Sequence, residues 1–77
     1  MRLVDLLNKI RWDMRENEED YEVWIYDRIA KKEKRVAFKM IANIGKSFIE
    51  LIDGTEIPLH RIRKVVKRGE VIWEKRR

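Results

Sequence analysis

The sequence predicts a small α+β domain, in which one N-terminal helix packs on a strongly twisted, mainly antiparallel sheet or partial barrel of five to six strands. Two patterns predict this class. Apolar residues recur with helical spacing near the start of the chain and predict a helix over about residues 2–11, built around Leu3, Leu6, Leu7 and Ile10. From residue 21 onward, short runs rich in β-branched and aromatic residues are separated by turn signals, as in strands. The length of 77 residues fits one domain, 1–77.

A polar connector follows the predicted helix over residues 13–20. Between residues 16 and 22 there are five acidic residues and no basic one. We interpret this acidic segment as a solvated, like-charged loop. The alternative is an acidic surface that docks on the basic end of a second copy of the chain.

The most regular strand pattern spans residues 21–29. Alternation places two sets of side chains on opposite faces of this strand: Tyr21, Val23, Ile25 and Ile29 on one, and Glu22, Trp24, Tyr26 and Arg28 on the other. The β-rich region continues to residue 75. Further strands are expected over residues 35–38, 47–52, 55–59, 63–67 and 70–75, with a tight turn at Asp53-Gly54.

An internal repeat is visible within this β-rich region. Residues 36–44 and 57–65 match at each apolar position, and a glycine and a further strand follow each segment. We interpret each unit as a strand, a tight helical turn and a second strand. Ile41 and Ile62 would then be equivalent side chains, each buried under one of two similar corners.

The last third of the chain carries the whole net charge of +5. Residues 54–77 contain eight Lys/Arg and three Glu, whereas residues 1–53 contain eleven Lys/Arg and eleven Asp/Glu. A basic end on a neutral body favours a polyanionic partner, such as a nucleic acid.

The composition excludes several classes of protein. Cysteine is absent and there is one histidine, which argues against disulfides and most metal sites, so we expect neither a metal nor a cofactor. The start of the chain lacks the apolar core of a signal peptide, and no apolar run approaches the roughly 18–20 residues of a membrane span. We therefore expect a cytoplasmic protein that does not enter a membrane. Charged residues make up 43% of the chain, a bias found in proteins of thermophiles.

The candidate binding residues lie in the basic end. His60 is the only histidine, the side-chain type that exchanges a proton near neutral pH. Arginine guanidinium groups match the geometry of phosphate oxygens, so phosphate is the expected ligand. Six residues are candidates for binding RNA or phosphate: His60, Arg61, Arg63, Lys64, Lys67 and Arg68. No catalytic residues are assigned.

Strand alternation would divide these cations between two faces, so they cannot all meet one ligand. His60, Arg61 and Arg63 are expected to share a site at the turn. The structural alternative for His60 is a polar residue that ends a strand and caps the turn.

The aromatic side chains have two interpretations. Trp24 and Tyr26 face away from Val23 and Ile25, so they are candidates for stacking on unpaired bases. The alternative is that they belong to the core, because a domain of this size needs large apolar residues there. Trp12, just past the predicted helix, is expected to fill the space between helix and sheet.

The order of these residues resembles a known family. The signature is Ile10-Arg11-Trp12-Asp13 at the end of the helix, an aromatic-rich strand, Ile57-Pro58-Leu59-His60-Arg61-Ile62, and finally Gly69-Glu70-Val71-Ile72-Trp73-Glu74. Over essentially the whole chain it resembles the RNA cyclic group end recognition domain, a small archaeal, formerly uncharacterised family. The resemblance implies a small α+β domain that binds RNA termini, including those with a cyclic phosphate. The matching polar positions are His60 and Arg61, with Arg63 as a neighbour.

Two functions of different classes follow. The first is an RNA-binding module that recognises phosphate-bearing RNA ends, including cyclic-phosphate ends, and works beside a separate RNA-end-processing enzyme. The alternative is a homo-oligomeric structural or adaptor protein, for example a homodimer, whose strand edges pair between copies. An enzyme is the least expected class, because no second base or activated nucleophile accompanies His60.

Overall fold

The computed structural model describes residues 2–75, which form one α-helix, seven strands and three short 3-10 helices. The helix α1 spans Leu3–Trp12. The strands are β1 (Tyr21–Asp27), β2 (Lys32–Ala37), β3 (Ile41–Ile44), β4 (Phe48–Leu51), β5 (Glu56–Pro58), β6 (Ile62–Lys67) and β7 (Glu70–Glu74). The 3-10 helices Glu18–Asp20, Phe38–Met40 and Leu59–Arg61 directly precede β1, β3 and β6.

The strands form two antiparallel sheets, which confirms the predicted α+β class with one N-terminal helix. Four strands are ordered β2-β1-β6-β7, and three are ordered β3-β4-β5. Residues 2–75 form seven strands, more than the five to six expected. The strand that lies outside the expected ranges is β3, which follows β2 along the chain and pairs with β4. Within residues 2–75 both sheets end in edge strands, so neither closes into a barrel.

The core lies where α1 and the two sheets meet. Helix α1 buries Leu7 and Ile10, as the apolar spacing predicts. A helix of ten residues is marginal in water by itself, so this packing is what stabilises it. Within residues 2–75, no helix has both the length and the apolar character needed to cross a membrane. The side chains most completely removed from water come from α1, the 3-10 helix Phe38–Met40 and both sheets: Phe38, Leu7, Ile49, Ile62, Val23 and Val65.

Trp12 does not fill the space between helix and sheet, and that prediction is wrong. The helix continues through Trp12 and turns this side chain about 200° from that of Ile10, so it is 78% exposed. Arg11 makes the connection instead. Its Nη1 donates to the carbonyl of Ala42 at 3.1 Å, and its Nη2 donates to the carbonyl of Ile41.

The Arg11 guanidinium also joins two further elements. Its centre lies 5.7 Å from the centroid of the Phe38 ring, and its Nε lies 2.9 Å from a carboxylate oxygen of Glu18. This Nε is not aligned for a hydrogen bond with that oxygen, so its contact with Glu18 is electrostatic. Arg11 therefore ties the end of α1 to β3 and to the acidic segment.

The predicted internal repeat is confirmed as two similar corners at which the chain changes sheets. In the first corner, Phe38–Met40 leads from β2 in the four-stranded sheet to β3 in the three-stranded sheet. In the second corner, Leu59–Arg61 leads from β5 back to β6. Ile41 and Ile62 follow the corners and are 2% and 0% exposed.

The first strand is shorter than its alternating pattern indicates, and the assignment of Ile29 to the same strand face as Val23 and Ile25 is wrong. Strand β1 ends at Asp27, whose carboxylate accepts hydrogen bonds from the backbone N–H groups of Ile29 and Ala30 at 2.9 and 3.1 Å. These bonds form a turn that leaves Ile29 96% exposed. They also lower the pKa of Asp27, because they favour its ionised form.

The acidic segment is attached to the basic end of its own chain, so its interpretation as a solvated loop is wrong. The Asp20 carboxylate lies 3.0 Å from Arg68 Nη2, and the Glu16 carboxylate lies 3.4 Å from Lys67 Nζ. Glu16 also accepts a hydrogen bond from the Tyr21 hydroxyl. That hydrogen bond is the main reason why the pKa of Glu16 is lowered, whereas burial is the main reason why the pKa of Tyr21 is raised.

Replacing the isoleucine under the second corner should strongly destabilise the fold. The change Ile62→Ala removes apolar atoms from a fully buried position and leaves a cavity. We expect the free energy of unfolding, measured by urea denaturation, to fall by about 2–5 kcal/mol. The matched variant Ile29→Ala alters an exposed side chain and should stay within about 0.5 kcal/mol of the wild type. Equal losses in the two variants would contradict this account of the core.

The acidic segment predicts a specific pH dependence of stability. The pKa of Glu16 lies below its ordinary value of 4.5 in the folded chain, so its interactions add stability above that pH. This contribution is lost as the pH falls through the lowered pKa. Thermal unfolding of Glu16→Gln should therefore show a deficit relative to wild type at pH 7 that shrinks below about pH 4.5.

The control for this experiment is Glu19→Gln. Glu19 is exposed and has no ion-pair partner within residues 2–75, so its replacement should produce little difference from wild type at any pH. A deficit for Glu16→Gln that is constant from pH 7 to pH 3 would contradict the role given to the ionised carboxylate.

Candidate phosphate-binding site

A basic depression of about 260 Å³ lies beside the second corner. None of its lining residues is an acid. The depression joins segments that are far apart in the sequence: the end of β1, the turn after it, the second corner, the start of β6 and the residue after β7. Its lining residues are Tyr26, Arg28, His60, Arg61, Arg63 and Lys75.

The second corner places two of the predicted residues at this depression. The 3-10 turn Leu59–Arg61 runs between Pro58, with a φ of −60°, and Ile62, which is fully buried. Because Ile62 is held in the core, His60 and Arg61 are carried on a backbone that is fixed at both ends. The His60 side chain is exposed, and the His60 carbonyl accepts a hydrogen bond from Lys75 Nζ at 2.6 Å.

A β-bulge in β6 positions Arg63. Trp24 pairs with Lys64 and Ile25 pairs with Ile62, so Arg63 is an extra residue without a partner on β1. The Arg63 guanidinium lies 4.8 Å from the centroid of the Tyr26 ring.

The bulge changes the division of cations that strict alternation predicts. Lys64 Nζ lies 5.0 Å from the centroid of the Trp24 ring, which is on the same outward face as Tyr26. Consecutive residues Arg63 and Lys64 therefore share a face, which strict alternation would not allow. Lys67 lies over Tyr21, on the other face of β1, at 5.4 Å from the ring centroid. The cations are thus divided between two faces, as expected.

The structure brings three of the six candidate residues together and places the other three elsewhere. His60, Arg61 and Arg63 line the basic depression, as expected for a shared site at the turn. The remaining three each lie near a carboxylate: Lys64 at 3.7 Å from Glu33, Lys67 at 3.4 Å from Glu16, and Arg68 at 3.0 Å from Asp20. The Tyr21 hydroxyl, followed by the Glu16 carboxylate, raises the pKa of Lys67, and the Asp20 carboxylate raises the pKa of Arg68.

The arginines of the depression differ from these paired cations. Within residues 2–75, Arg28, Arg61 and Arg63 have no carboxylate at ion-pair distance. Arg61 is partly buried, and its Nε is shielded from water without a hydrogen-bond partner in the described part of the chain. A shielded donor of this kind is costly to leave unpaired, so an anion that accepts its hydrogen bond would remove that cost.

Arg61 also lines a second cavity. This adjoining groove has a volume of about 240 Å³ and lies between the β1–β2 hairpin and the β4–β5 hairpin. Tyr26 is the other residue that lines both cavities. The basic depression and the adjoining groove are therefore neighbours that share two side chains in their linings.

The two candidate stacking residues have partly buried side chains on the outward face, and each already has a cation over its ring. A base that stacked on Tyr26 would have to share the ring with Arg63 or displace it, and the same holds for Trp24 and Lys64. Such cation–π contacts at exposed positions contribute about 0.5–1 kcal/mol, so displacement is energetically accessible. Base stacking by Trp24 and Tyr26 stays a prediction.

Two lining residues, Arg28 and Lys75, were absent from the sequence-based set. Arg28 lies two positions after Tyr26, and Lys75 lies beside Arg63 because its backbone N–H donates to the Arg63 carbonyl at 2.7 Å. The signal for Arg28 was its place on the same face as Tyr26. The signal for Lys75 was the final hairpin, in which β7 pairs with β6. A register shift between Val65 and Val66 brings Lys75 beside Arg63, and the sequence does not reveal this shift.

Known proteins match the chain over nearly its whole length. The UPF0248 protein of Thermococcus gammatolerans is 46% identical over a match of 77 aligned positions that covers 97% of this chain and 90% of the relative. The UPF0248 proteins of Thermococcus sibiricus and Metallosphaera sedula are 43% and 37% identical, and the matches cover 94% and 97% of this chain and 83% and 94% of those relatives. No solved structure matches the chain to a significant degree.

A family model gives the same result. The model described as the MJ1316 RNA cyclic group end recognition domain matches residues 1–75, which include both corners and every residue of the basic depression. The resemblance expected from the helix end, the second corner and the final strand is confirmed, and the chain belongs to the MJ1316 RNA cyclic group end recognition domain family.

Proposed function

We propose that this protein is an RNA-binding module that recognises phosphate-bearing RNA ends. The observation that carries the proposal is the basic depression, where arginines without carboxylate partners among the described residues meet the only histidine and an aromatic ring. Phosphate oxygens are the ligands that such a set of donors favours. The description of the family, which names RNA cyclic group ends, supports the same ligand class.

In this proposal the residues of the depression have separate roles. Arg61 and Arg63 donate hydrogen bonds to phosphate oxygens, and the shielded Nε of Arg61 gains the acceptor that it lacks. His60 is exposed at the rim and donates to the terminal phosphate or to the ribose. Arg28 and Lys75 add positive charge on either side.

The paired cations have a weaker role. Lys64, Lys67 and Arg68 would attract the upstream RNA backbone, but each would have to share its charge with a carboxylate of this chain. Their contribution is therefore mainly nonspecific and sensitive to salt.

Preference for a cyclic phosphate requires more than positive charge. A cyclic phosphodiester carries one negative charge, whereas an open phosphomonoester carries about 1.5–2 at pH 7. Charge alone would favour the open end, so any preference for the cyclic end must come from shape and hydrogen bonding in the depression. The proposal includes no catalytic step, and a separate enzyme would process the RNA end.

The direct test is binding of one short single-stranded RNA that ends in a hydroxyl, an open phosphate or a cyclic phosphate. Fluorescence anisotropy at two salt concentrations should give tighter binding to the phosphate-bearing ends than to the hydroxyl end at both. Replacing Arg61 with alanine removes charge-assisted hydrogen bonds of about 1.5–3 kcal/mol, so affinity for those ends should fall about tenfold or more. His60→Ala should reduce the preference between ends.

The first corner supplies a matched control. Lys39 occupies the position in the repeat that His60 occupies in the second corner, and it is also exposed. Lys39→Ala removes one positive charge, as Arg61→Ala does, but should leave the end preference unchanged. If all three RNAs bind equally and salt abolishes binding, the depression has no role in end recognition.

A second candidate function is a homo-oligomeric scaffold, which the edge strand β7 favours. Val71 and Ile72 on this strand are 46% and 39% exposed, and the strand has no neighbour on its outer side within residues 2–75. Such an edge can pair with a second copy. Under this hypothesis, analytical ultracentrifugation should give a dimer mass that Val71→Lys returns to the monomer mass. A monomer at all accessible concentrations would exclude the scaffold.

A further inference from the structure

The adjoining groove differs chemically from the basic depression. Its floor is apolar and includes Val36, Leu51 and Ile57, while its rim carries carboxylates as well as cations. Phosphate is repelled by carboxylates, so the groove is not suited to a second phosphate group. An apolar floor with a few polar groups at the rim is instead typical of a site for a flat organic group. The rim carboxylates are Asp27, Asp53 and Glu56, and the rim cations are Lys34 and Arg61.

Position connects this groove to the proposed phosphate site. Tyr26 and Arg61 line both cavities, so a molecule with a phosphate in the depression would have the groove directly beside it. The volume of about 240 Å³ is smaller than the roughly 300–1,000 Å³ of pockets for drug-sized ligands. It therefore suits one nucleobase and not a longer piece of RNA.

We propose that the adjoining groove binds the terminal nucleobase of the RNA whose phosphate lies in the basic depression, and that it prefers a base with an exocyclic amino group. This inference rests on the proposed function. Arg61, between the two cavities, would contact the ribose–phosphate junction, while the apolar floor would cover a face of the base.

The preference for an amino group follows from the carboxylates. An ionised carboxylate only accepts hydrogen bonds, so it pairs with an amino group and repels a base carbonyl. Asp53 is held in place because one of its oxygens accepts the backbone N–H of Thr55 at 2.9 Å, and this bond lowers its pKa. Asp27 is held in the same way by the turn after β1. Each keeps a second oxygen that can accept a hydrogen bond from a ligand.

Cytosine and uracil give the sharpest comparison, because they are almost the same size and differ in the amino group at C4 of cytosine and the carbonyl at C4 of uracil. Two short RNAs would share one sequence and one 3′ phosphate and would differ only in the last base. We expect the RNA that ends in cytidine to bind about threefold to tenfold tighter, the effect of one hydrogen bond exchanged against water.

Two variants locate this preference. The double variant Asp27→Asn/Asp53→Asn removes the two anchored rim carboxylates with little change in side-chain volume, and the ratio between the two RNAs should fall to about one. The matched control, Asp5→Asn/Glu50→Gln, removes the same total charge at positions that do not line the groove, and it should keep the ratio. Glu50 is paired with Glu56 in the register of β4 and β5, so one position of the control lies on the hairpin that carries Asp53.

The variant Thr55→Trp tests occupation of the groove. Thr55 lies on the groove rim and is exposed, so a larger side chain there should obstruct the groove without entering the core. The ratio should again fall to about one, while the preference for a phosphate end over a hydroxyl end remains.

The outcomes separate this inference from the proposed function. If the wild type binds the two RNAs equally but still prefers phosphate ends, base recognition by the adjoining groove is overturned. The proposed phosphate site is then unaffected. A ratio that persists in Thr55→Trp would likewise place base recognition elsewhere. Loss of any end preference in the wild type would overturn the proposed function and this inference together.

Discussion

The constraint on which the structure depends is burial of an isoleucine beneath each point where the chain changes sheets. Ile41 and Ile62 are almost completely removed from water, and each follows a single 3-10 turn between strands of different sheets. Removing either side chain would leave a cavity in the core beneath the corner that joins the two sheets. The same constraint gives the second corner a rigid backbone, and His60 and Arg61 belong to that corner.

The cations of this chain fall into two groups, those that are paired with a carboxylate and those that have no carboxylate partner within residues 2–75. The acidic segment neutralises Lys67 and Arg68 through Glu16 and Asp20, which attaches the connector to β6 and the turn after it. The arginines of the basic depression have no such partner within residues 2–75, so positive potential remains beside the second corner. The chain therefore uses its cations in two ways, some for internal pairing and others for a surface available to an anion.

The sequence allowed the parts of this architecture that depend on local patterns to be predicted. The spacing of Leu7 and Ile10 specifies the buried face of α1, because apolar periodicity is a property of neighbouring residues. The repeated pattern around Ile41 and Ile62 specifies the two corners. The bulge at Arg63 could not be predicted in this way, since it arises from the register between distant strands.

Under the proposed function, phosphate groups bind at the second corner and not over the whole basic surface. Backbone amide chemical shifts, recorded by NMR during titration with a nucleoside 2′,3′-cyclic phosphate, would locate the bound phosphate. We expect changes concentrated at Tyr26, His60 and Arg61, with the first corner at Lys39 unaffected. Changes concentrated at Lys67 and its neighbours, or spread evenly over all basic residues, would contradict this expectation.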